Sequence, residues 1–495
     1  MKIPYIKALA ALTLGACLTG CGDKFLETDI PNGVDDGMAL NTVKNIGYAL
    51  NGTYYAFYYY SFAGTESVVL GDLGTDLPYW NAKSQHFNDI YQYSVTSTST
   101  ILGDIWEYGY KVADNAARVI EGADALRPSV TDEDEKAELD RYEAEAYALR
   151  AYSQLALTNI FAHQIKVNGS DFSSMPGIVV IDKPVMPYQN VKRSTVGESY
   201  AAVVSDLKKS LEYFDAAGHD AGTIFYVSPK AVYGLLARTY LYMENYADAA
   251  AAAKKALDLA GITELTYTEE GYKALYNGGA SNVESLFALD INSTQNWSAK
   301  SIGTLWSTYG YSPSPWLQSV MADGDVRRAV WGWTDTSTQD VPYFNSGKFG
   351  AFGLGGNPAY GTNYLVNAPE MFLIQAEAAL KQHDVPGAQA ALLTVAKRNP
   401  VYQSASDLPA SEADLMEFLK EERARELFQE GHRLYDLRRW DVKADVYASS
   451  PSSVTWMISG YDISDLVYPI PDDEINAGYG VTQNEGWAST LPKVK

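Results

Sequence analysis

The run Glu421-Glu422-Arg423-Ala424-Arg425-Glu426-Leu427-Phe428-Gln429-Glu430-Gly431-His432-Arg433-Leu434-Tyr435-Asp436-Leu437-Arg438-Arg439-Trp440 is the most ordered pattern in the chain. Its first half suits a charged amphipathic helix, in which Leu419, Glu422, Arg423, Glu426, Phe428 and Glu430 can serve packing and ion pairing at spacings of three and four. Gly431 then permits a sharp change of direction. Taken alone, this density of charge reads as structural. Downstream, Tyr468-Pro469-Ile470-Pro471-Asp472-Asp473-Glu474-Ile475-Asn476 couples an extended segment to a restricted turn, because each proline disfavours helix in the residue before it.

Moving towards the N-terminus, two stretches read as close-packed helix pairs. Between Ser228 and Leu259, Ala237, Tyr240, Ala249, Ala253 and Ala256 have the offsets of packing positions in a tetratricopeptide-like pair, with Asn245-Tyr246 near its turn. Ala376, Ala379, Ala388, Leu392 and Val395 repeat those offsets between Pro369 and Lys397. Generic helical hairpins would satisfy the same spacing. Further helices are expected over Met38 to Tyr60, Ile105 to Ala123, Lys136 to Phe161 and Val196 to Phe214, from apolar residues recurring at three and four. The interval 261–368 breaks this regime. It is rich in Gly, Ser, Thr, Asn, Tyr and Trp, which fits an irregular, loop-rich subdomain on a helical scaffold.

The N-terminus supplies an address. Lys2 and Lys7 precede an apolar stretch too short to span a bilayer, ending Leu18-Thr19-Gly20-Cys21. Residues 1–20 therefore read as a lipoprotein signal peptide, with Cys21 as the lipid-attachment residue and 21–495 as the mature globular unit. The chain has two cysteines, Cys17 and Cys21, so removal of the leader leaves none to pair with Cys21. Lipid on Cys21 would tether the protein to a membrane without a transmembrane helix.

The chain of 495 residues is 46% hydrophobic and 20% charged, as globular proteins are, and its net charge of -23 disfavours broad contact with nucleic acid. The sequence contains no His-Glu-x-x-His pattern, no Gly-x-Ser-x-Gly elbow and no Walker loop, and its five histidines are widely separated. Neither a catalytic centre nor a metal or cofactor site is read from it, and Asp72 with Asp76 does not specify a divalent ion. The abundance of carboxylates keeps a glycosidase in view as a competing class, since two placed carboxylates suffice.

The Arg423-to-Trp440 and Tyr468-to-Asn476 runs, together with Cys21 followed by Asp23-Lys24-Phe25-Leu26, resemble signatures of the SusD/RagB family of outer-membrane nutrient-binding lipoproteins of Bacteroidetes. The resemblance extends over nearly the whole chain. It implies a mostly α, SusD-like fold with tetratricopeptide-like helical repeats and an irregular ligand-binding subdomain. It also implies a non-catalytic protein on the exterior of the outer membrane that captures glycans and delivers them to a TonB-dependent, SusC-like transporter. A peptide- or other-nutrient-binding lipoprotein with a mainly scaffold or lid role is the alternative. In the family the C-terminal charges hold the scaffold, so Glu426, Glu430 and Arg433 are not expected to touch ligand.

Ligand contacts are sought instead among the 37 Tyr, 10 Trp and 15 Phe, because aromatic faces stack on the C–H faces of sugars while polar groups bind their hydroxyl rims. Gly71, Gly74 and Pro78 predict a loop that presents Tyr79 and Trp80, with Asp76 and Asn81 as polar neighbours. Trp297, Trp306 and Tyr309, with Asn296, are the candidates from the central interval. Each aromatic could equally serve the core, and Trp106 is assigned there because it begins a strong helical pattern.

Overall fold

The computed structural model describes residues 39–80, 84–334, 343–344, 347–450 and 453–492. The leader, Cys21 and Asn81 lie outside the described residues.

Several helices begin where a capping side chain satisfies their free backbone N–H groups. Val43–Tyr58 (α1) is capped by Thr42, whose hydroxyl accepts from the Asn45 N–H at 3.1 Å. A single wide turn, Tyr60–Gly64, leads into Glu66–Leu73 (α2). Thr100–Leu126 (α3) and Glu133–Phe161 (α4) are the long helices, and Asp132 caps the second through the Asp134 and Glu135 N–H groups. Val196–Ala217 (α5) opens with a reciprocal capping box between Thr195 and Glu198. Pro229–Tyr242 (α6) pairs with Tyr246–Ala260 (α7), and after the central interval Ala368–Lys381 (α8) pairs with Val385–Ala396 (α9). Ala237, Ala249, Ala253 and Ala256 are fully buried between the first pair, as are Ala376, Ala388, Leu392 and Val395 in the second, so the expected small-residue offsets form both contacts. The helices stack in sequence, α1 on α3, α3 on α4, α4 on α5, α7 on α8, in a succession of hairpins consistent with tetratricopeptide-like repeats.

The sheet content is small, and the largest sheet joins one local hairpin to two long-range pairings. Pro78–Trp80 (β1) lies between Tyr311–Pro313 (β2), which it pairs antiparallel with Tyr79 opposite Ser312, and Ala444–Ser450 (β3), which it pairs parallel with Tyr79 opposite Tyr447. Ser453–Tyr461 (β4) completes the order β4-β3-β1-β2. The loop predicted around Tyr79 and Trp80 is therefore a strand. Gly71, Gly74 and Pro78 do break the helix, but pairing partners more than 230 residues away make the next residues extended.

Glu412–Leu427 (α10) and Arg433–Trp440 (α11) carry the opening sequence run, and every charged group on their facing sides is spent inside the protein. Arg327 donates to Glu422 at 2.7 Å and Glu426 at 3.1 Å, and the Arg398 Nε lies 2.9 Å from Glu426. Arg423 and Arg439 share Asp436 at 2.7 and 2.9 Å, while Arg439 and the Trp440 indole N–H both donate to Glu377 on α8. Glu430 accepts from Lys348 and from Asn367. The expectation that Glu426, Glu430 and Arg433 hold the scaffold matches these contacts. The turn between the helices docks on α2 through two glycines: a Cβ on Gly71 would stand 2.0 Å from the Gly431 carbonyl oxygen, and Gly431 has φ +76°. Asp72 seals the contact by accepting from the Gly431 and Arg433 N–H groups at 3.1 and 3.3 Å.

Glu377 reports on this network. Burial by itself opposes its ionisation, but the Arg439 and Arg423 charges and its hydrogen bonds outweigh burial and hold its carboxyl down at about 2, against 4.5 for a free glutamate. A folded-state value below the unfolded one means stability that is present above pH 4.5 and lost as pH falls through about 2. Glu377→Ala leaves Arg439 only the Asp436 carboxylate that it shares with Arg423, takes the acceptor from the Trp440 indole N–H, and is expected to cost about 3 kcal/mol in urea unfolding. In Glu377→Gln the acid-side slope of stability below pH 4.5 should flatten relative to the native chain.

Candidate aromatic binding site

The site starts at the end of α1. Tyr58 is the last helical residue, Tyr59 turns out of the helix at ψ 146°, and the wide turn from Tyr60 to Gly64 swings the chain towards α2. Consecutive residues therefore leave the helix in different directions, and Tyr58, Tyr59 and Tyr60 fan out around one indole, that of Trp297. Their ring centroids lie 5.1, 4.7 and 5.8 Å from it, and Tyr55, one turn back, lies at 6.4 Å. The Trp297 Nε1 donates to the Tyr58 carbonyl at 3.2 Å, which fixes the ring's orientation. Asn296 holds the loop behind it: its amide donates to the Asn292 carbonyl at 2.9 Å and its Oδ1 accepts from the Ser298 N–H at 3.0 Å. On the far side Tyr59 stacks on Tyr108 of α3, with planes 4° apart and centroids at 4.4 Å.

Beside this cluster lies a cleft of about 300 Å³, lined by Tyr60, Glu66, Gln85, His86, Lys300 and Tyr309 among others. Tyr309 lies face to face with His86 at 3.8 Å and donates its hydroxyl to the Ala299 carbonyl at 2.9 Å. Lys300 sits 3.7 Å above the Tyr60 ring centre and donates to the Tyr60 hydroxyl. Flat rings thus meet an ammonium, an amide and a carboxyl at one opening. Glu66 is 8% exposed and its Oε2 has no hydrogen-bond partner. Burial pushes its carboxyl up to about 9, the nearby Asp104 adding to the effect, Lys300 opposing it and Asp89 adding again. At neutral pH Glu66 is a neutral acid able to donate a hydrogen bond.

The structure separates the sequence candidates. Trp297 and Tyr309 are half-buried and meet the same face through Lys300 and Tyr60, and Asn296 positions Trp297. Tyr79 is half-buried in β1 and is not among the residues that line the cleft. Three expectations are corrected. Trp80 is 4% exposed and packs towards Tyr91 at 5.9 Å, with its indole N–H donating to the Ser84 carbonyl. Trp306 is 1% exposed because the helix Ile302–Thr308 turns it inward, edge-on to Phe428 at 5.1 Å. Asp76 is consumed by Arg433, accepting two hydrogen bonds of 2.8 Å. Trp106 is core, as expected, at 5% exposure.

Sequence reasoning passed over the run Tyr54-Tyr55-Ala56-Phe57-Tyr58-Tyr59-Tyr60. Tyrosines on adjacent positions cannot all face one core from a helix, and that excess was the available signal. Among the described residues no group of three or more His, Cys, Asp or Glu is placed to hold a metal ion.

The carboxyl of Glu66 gives a pH test. Its folded-state value exceeds the unfolded 4.5, so the native chain loses stability as pH rises from 4.5 through about 9. Glu66→Gln removes the buried ionisation, so its stability advantage should be absent near pH 4 and grow to on the order of 1 kcal/mol or more by pH 9 in thermal unfolding.

Comparison with known proteins bears on the whole chain. Residues 368–487 match the model of the SusD family, and residues 54–241 match that of a family described as starch-binding and associating with the outer membrane. No curated protein matches. A SusD superfamily protein from Bacteroides thetaiotaomicron superposes with a TM-score of 0.77 at 22% identity, covering 90% of this chain and 99% of its own. A SusD superfamily protein from Bacteroides vulgatus gives 0.75 at 24%, covering 90% and 99%. A SusD-like carbohydrate-binding protein from Bacteroides vulgatus gives 0.72 at 19%, covering 92% and 99%. At these identities the superpositions establish the fold, while the two family models fall on the aromatic turn and on the charged C-terminal helices. The chain belongs to the SusD/RagB family.

Proposed function

We propose that this protein is a non-catalytic glycan-binding lipoprotein of the outer membrane, facing the cell exterior and anchored through Cys21. It captures oligosaccharides and delivers them to a SusC-like, TonB-dependent transporter. The observation that carries the reading is the aromatic face itself. Trp297 and Tyr309 are half-buried rings fixed by hydrogen bonds to backbone carbonyls, next to a cleft rimmed by Lys300, Gln85 and the neutral acid Glu66. Rings held this way lose little entropy on stacking against a sugar, and the rim offers both donors and acceptors to its hydroxyls. The starch-binding description of the family matched by residues 54–241, and the carbohydrate-binding relative from Bacteroides vulgatus, support the same class of ligand. Among the described residues no helix is long and apolar enough to cross a membrane, which leaves attachment to the lipid in this proposal.

Capture without cleavage is part of this proposal and is supported by the family matches. Stacking positions the ring, the charged and neutral donors select its hydroxyl pattern, and nothing in the proposal activates a water. Affinity electrophoresis of the lipid-free chain through gels containing plant, microbial and host polysaccharides, followed by calorimetry, is expected to show saturable retardation by at least one of them. Trp297→Ala and Tyr309→Ala should each weaken that interaction by roughly tenfold or more while leaving the fold intact, since each removes a stacking face worth on the order of 1–2 kcal/mol. Retardation unchanged by both substitutions would refute this site.

A further inference from the structure

A second cleft opens on the other side of the Trp297 cluster. It has a volume of about 350 Å³ and is lined by Tyr54, Tyr55, Tyr58, Phe225, Tyr226 and Asp290 among others. Tyr226 and Phe225 belong to the segment between α5 and α6, so this wall is built by the helical scaffold, whereas Asp290 comes directly after the buried strand Ser285–Leu289 of the central interval. Tyr54 is locked in place: its hydroxyl donates to Glu145 at 2.6 Å and accepts from the Val227 N–H at 2.9 Å, and its ring meets Tyr226 edge-on at 5.0 Å. Tyr58 is 7% exposed, and its hydroxyl has no hydrogen-bond partner although it is buried. Tyr55 is 60% exposed, and Tyr48, two helical turns earlier on the same side of α1, is 59% exposed. A buried hydroxyl left without a partner in a rigid aromatic cleft calls for an explanation, and Tyr55 stands exposed at that same cleft.

The two clefts are not independent. Tyr60 lines the first, Tyr55 lines the second, and both rings contact the one indole of Trp297, at 5.8 and 6.4 Å. The rings of Tyr55 and Tyr60 can be no further apart than those two distances together, a span that a short run of linked sugars covers. We propose that the second cleft is a further sugar subsite, so that the ligand is an extended chain of several sugar units lying across Trp297, with Tyr226 and Tyr55 stacking a distal unit and Asp290 accepting from its hydroxyls. This rests on the glycan reading of the first cleft and adds to it a requirement for chain length.

The test uses ladders of oligosaccharides of defined length cut from starch, arabinoxylan and host O-glycans, titrated calorimetrically into the lipid-free chain and into Tyr226→Ala and Asp290→Asn. With at least one ladder, affinity should rise by roughly tenfold or more at the length that reaches the second cleft, because the added contact is intramolecular. Both variants should remove that step while binding the short members as the native chain does. Asp290→Asn leaves the aromatic packing unchanged, so it keeps the test valid should Tyr226→Ala lower stability. Binding without a length step, or a step that both folded variants retain, overturns the second subsite and leaves the first standing. Silence from every ladder overturns both.

Discussion

Buried guanidinium–carboxylate contacts made by one helical hairpin organise this protein. Arg423, Arg439, Glu422, Glu426 and Asp436 are each at most 3% exposed, and the groups they engage directly or through Arg398, namely Arg327, Glu284 and Glu377, come from three separate stretches of chain. A charge taken out of water is tolerated only when its partners are in place, so these contacts are satisfied together or not at all. They therefore link the last helix pair, the central interval and the C-terminal hairpin into one arrangement. Breaking one of these contacts costs more than making it gains, because the attraction is largely offset by desolvation.

The same hairpin fixes the N-terminal segment through the contact of Gly431 with Gly71 and through Asp72, whose carboxyl burial raises to about 7 even as the Gly431 and Arg433 N–H groups pull it down. With α2 held there, the turn that precedes it must bend sharply to meet α1. That bend splays Tyr58, Tyr59 and Tyr60 around Trp297. The aromatic face is thus a consequence of a backbone constraint made elsewhere on α2. Precision in the scaffold becomes precision in the rings, which is what a stacking site requires.

Charge is distributed in keeping with this division. The chain carries a net -23, yet its clustered arginines are inside, and lysines flank the aromatic face, Lys300 laid over Tyr60 and Lys111 over Tyr108. Glu66 is beside Lys300 but neutral, since burial holds its carboxyl at about 9. The cleft therefore presents hydrogen-bond donors from within an acidic protein, a setting suited to neutral hydroxyls.

The sequence by itself determined the helical scaffold. Spacings of three and four marked α3, α4 and α5, the alanine offsets marked both helix pairs, and the paired charges from Glu421 to Trp440 with Gly431 marked the C-terminal hairpin, because all of these are local periodicities written along a single element. Part of the aromatic face was legible from composition: Trp297 and Tyr309 stood out as aromatics in an interval rich in Gly, Ser, Thr and Asn. Only the tertiary structure decided which aromatics face water. Trp80 became core when β1 paired with strands over 230 and 360 residues distant, Trp306 when its short helix turned towards Phe428, and Asp76 was claimed by Arg433 from 357 residues away. The tyrosines that surround Trp297 come from about 240 residues upstream of it, Tyr58 from 239. Burial is a property of what packs against a residue, and for aromatics outside a helical periodicity, such as Trp80 and Trp306, the partners that decide it lie far along the chain.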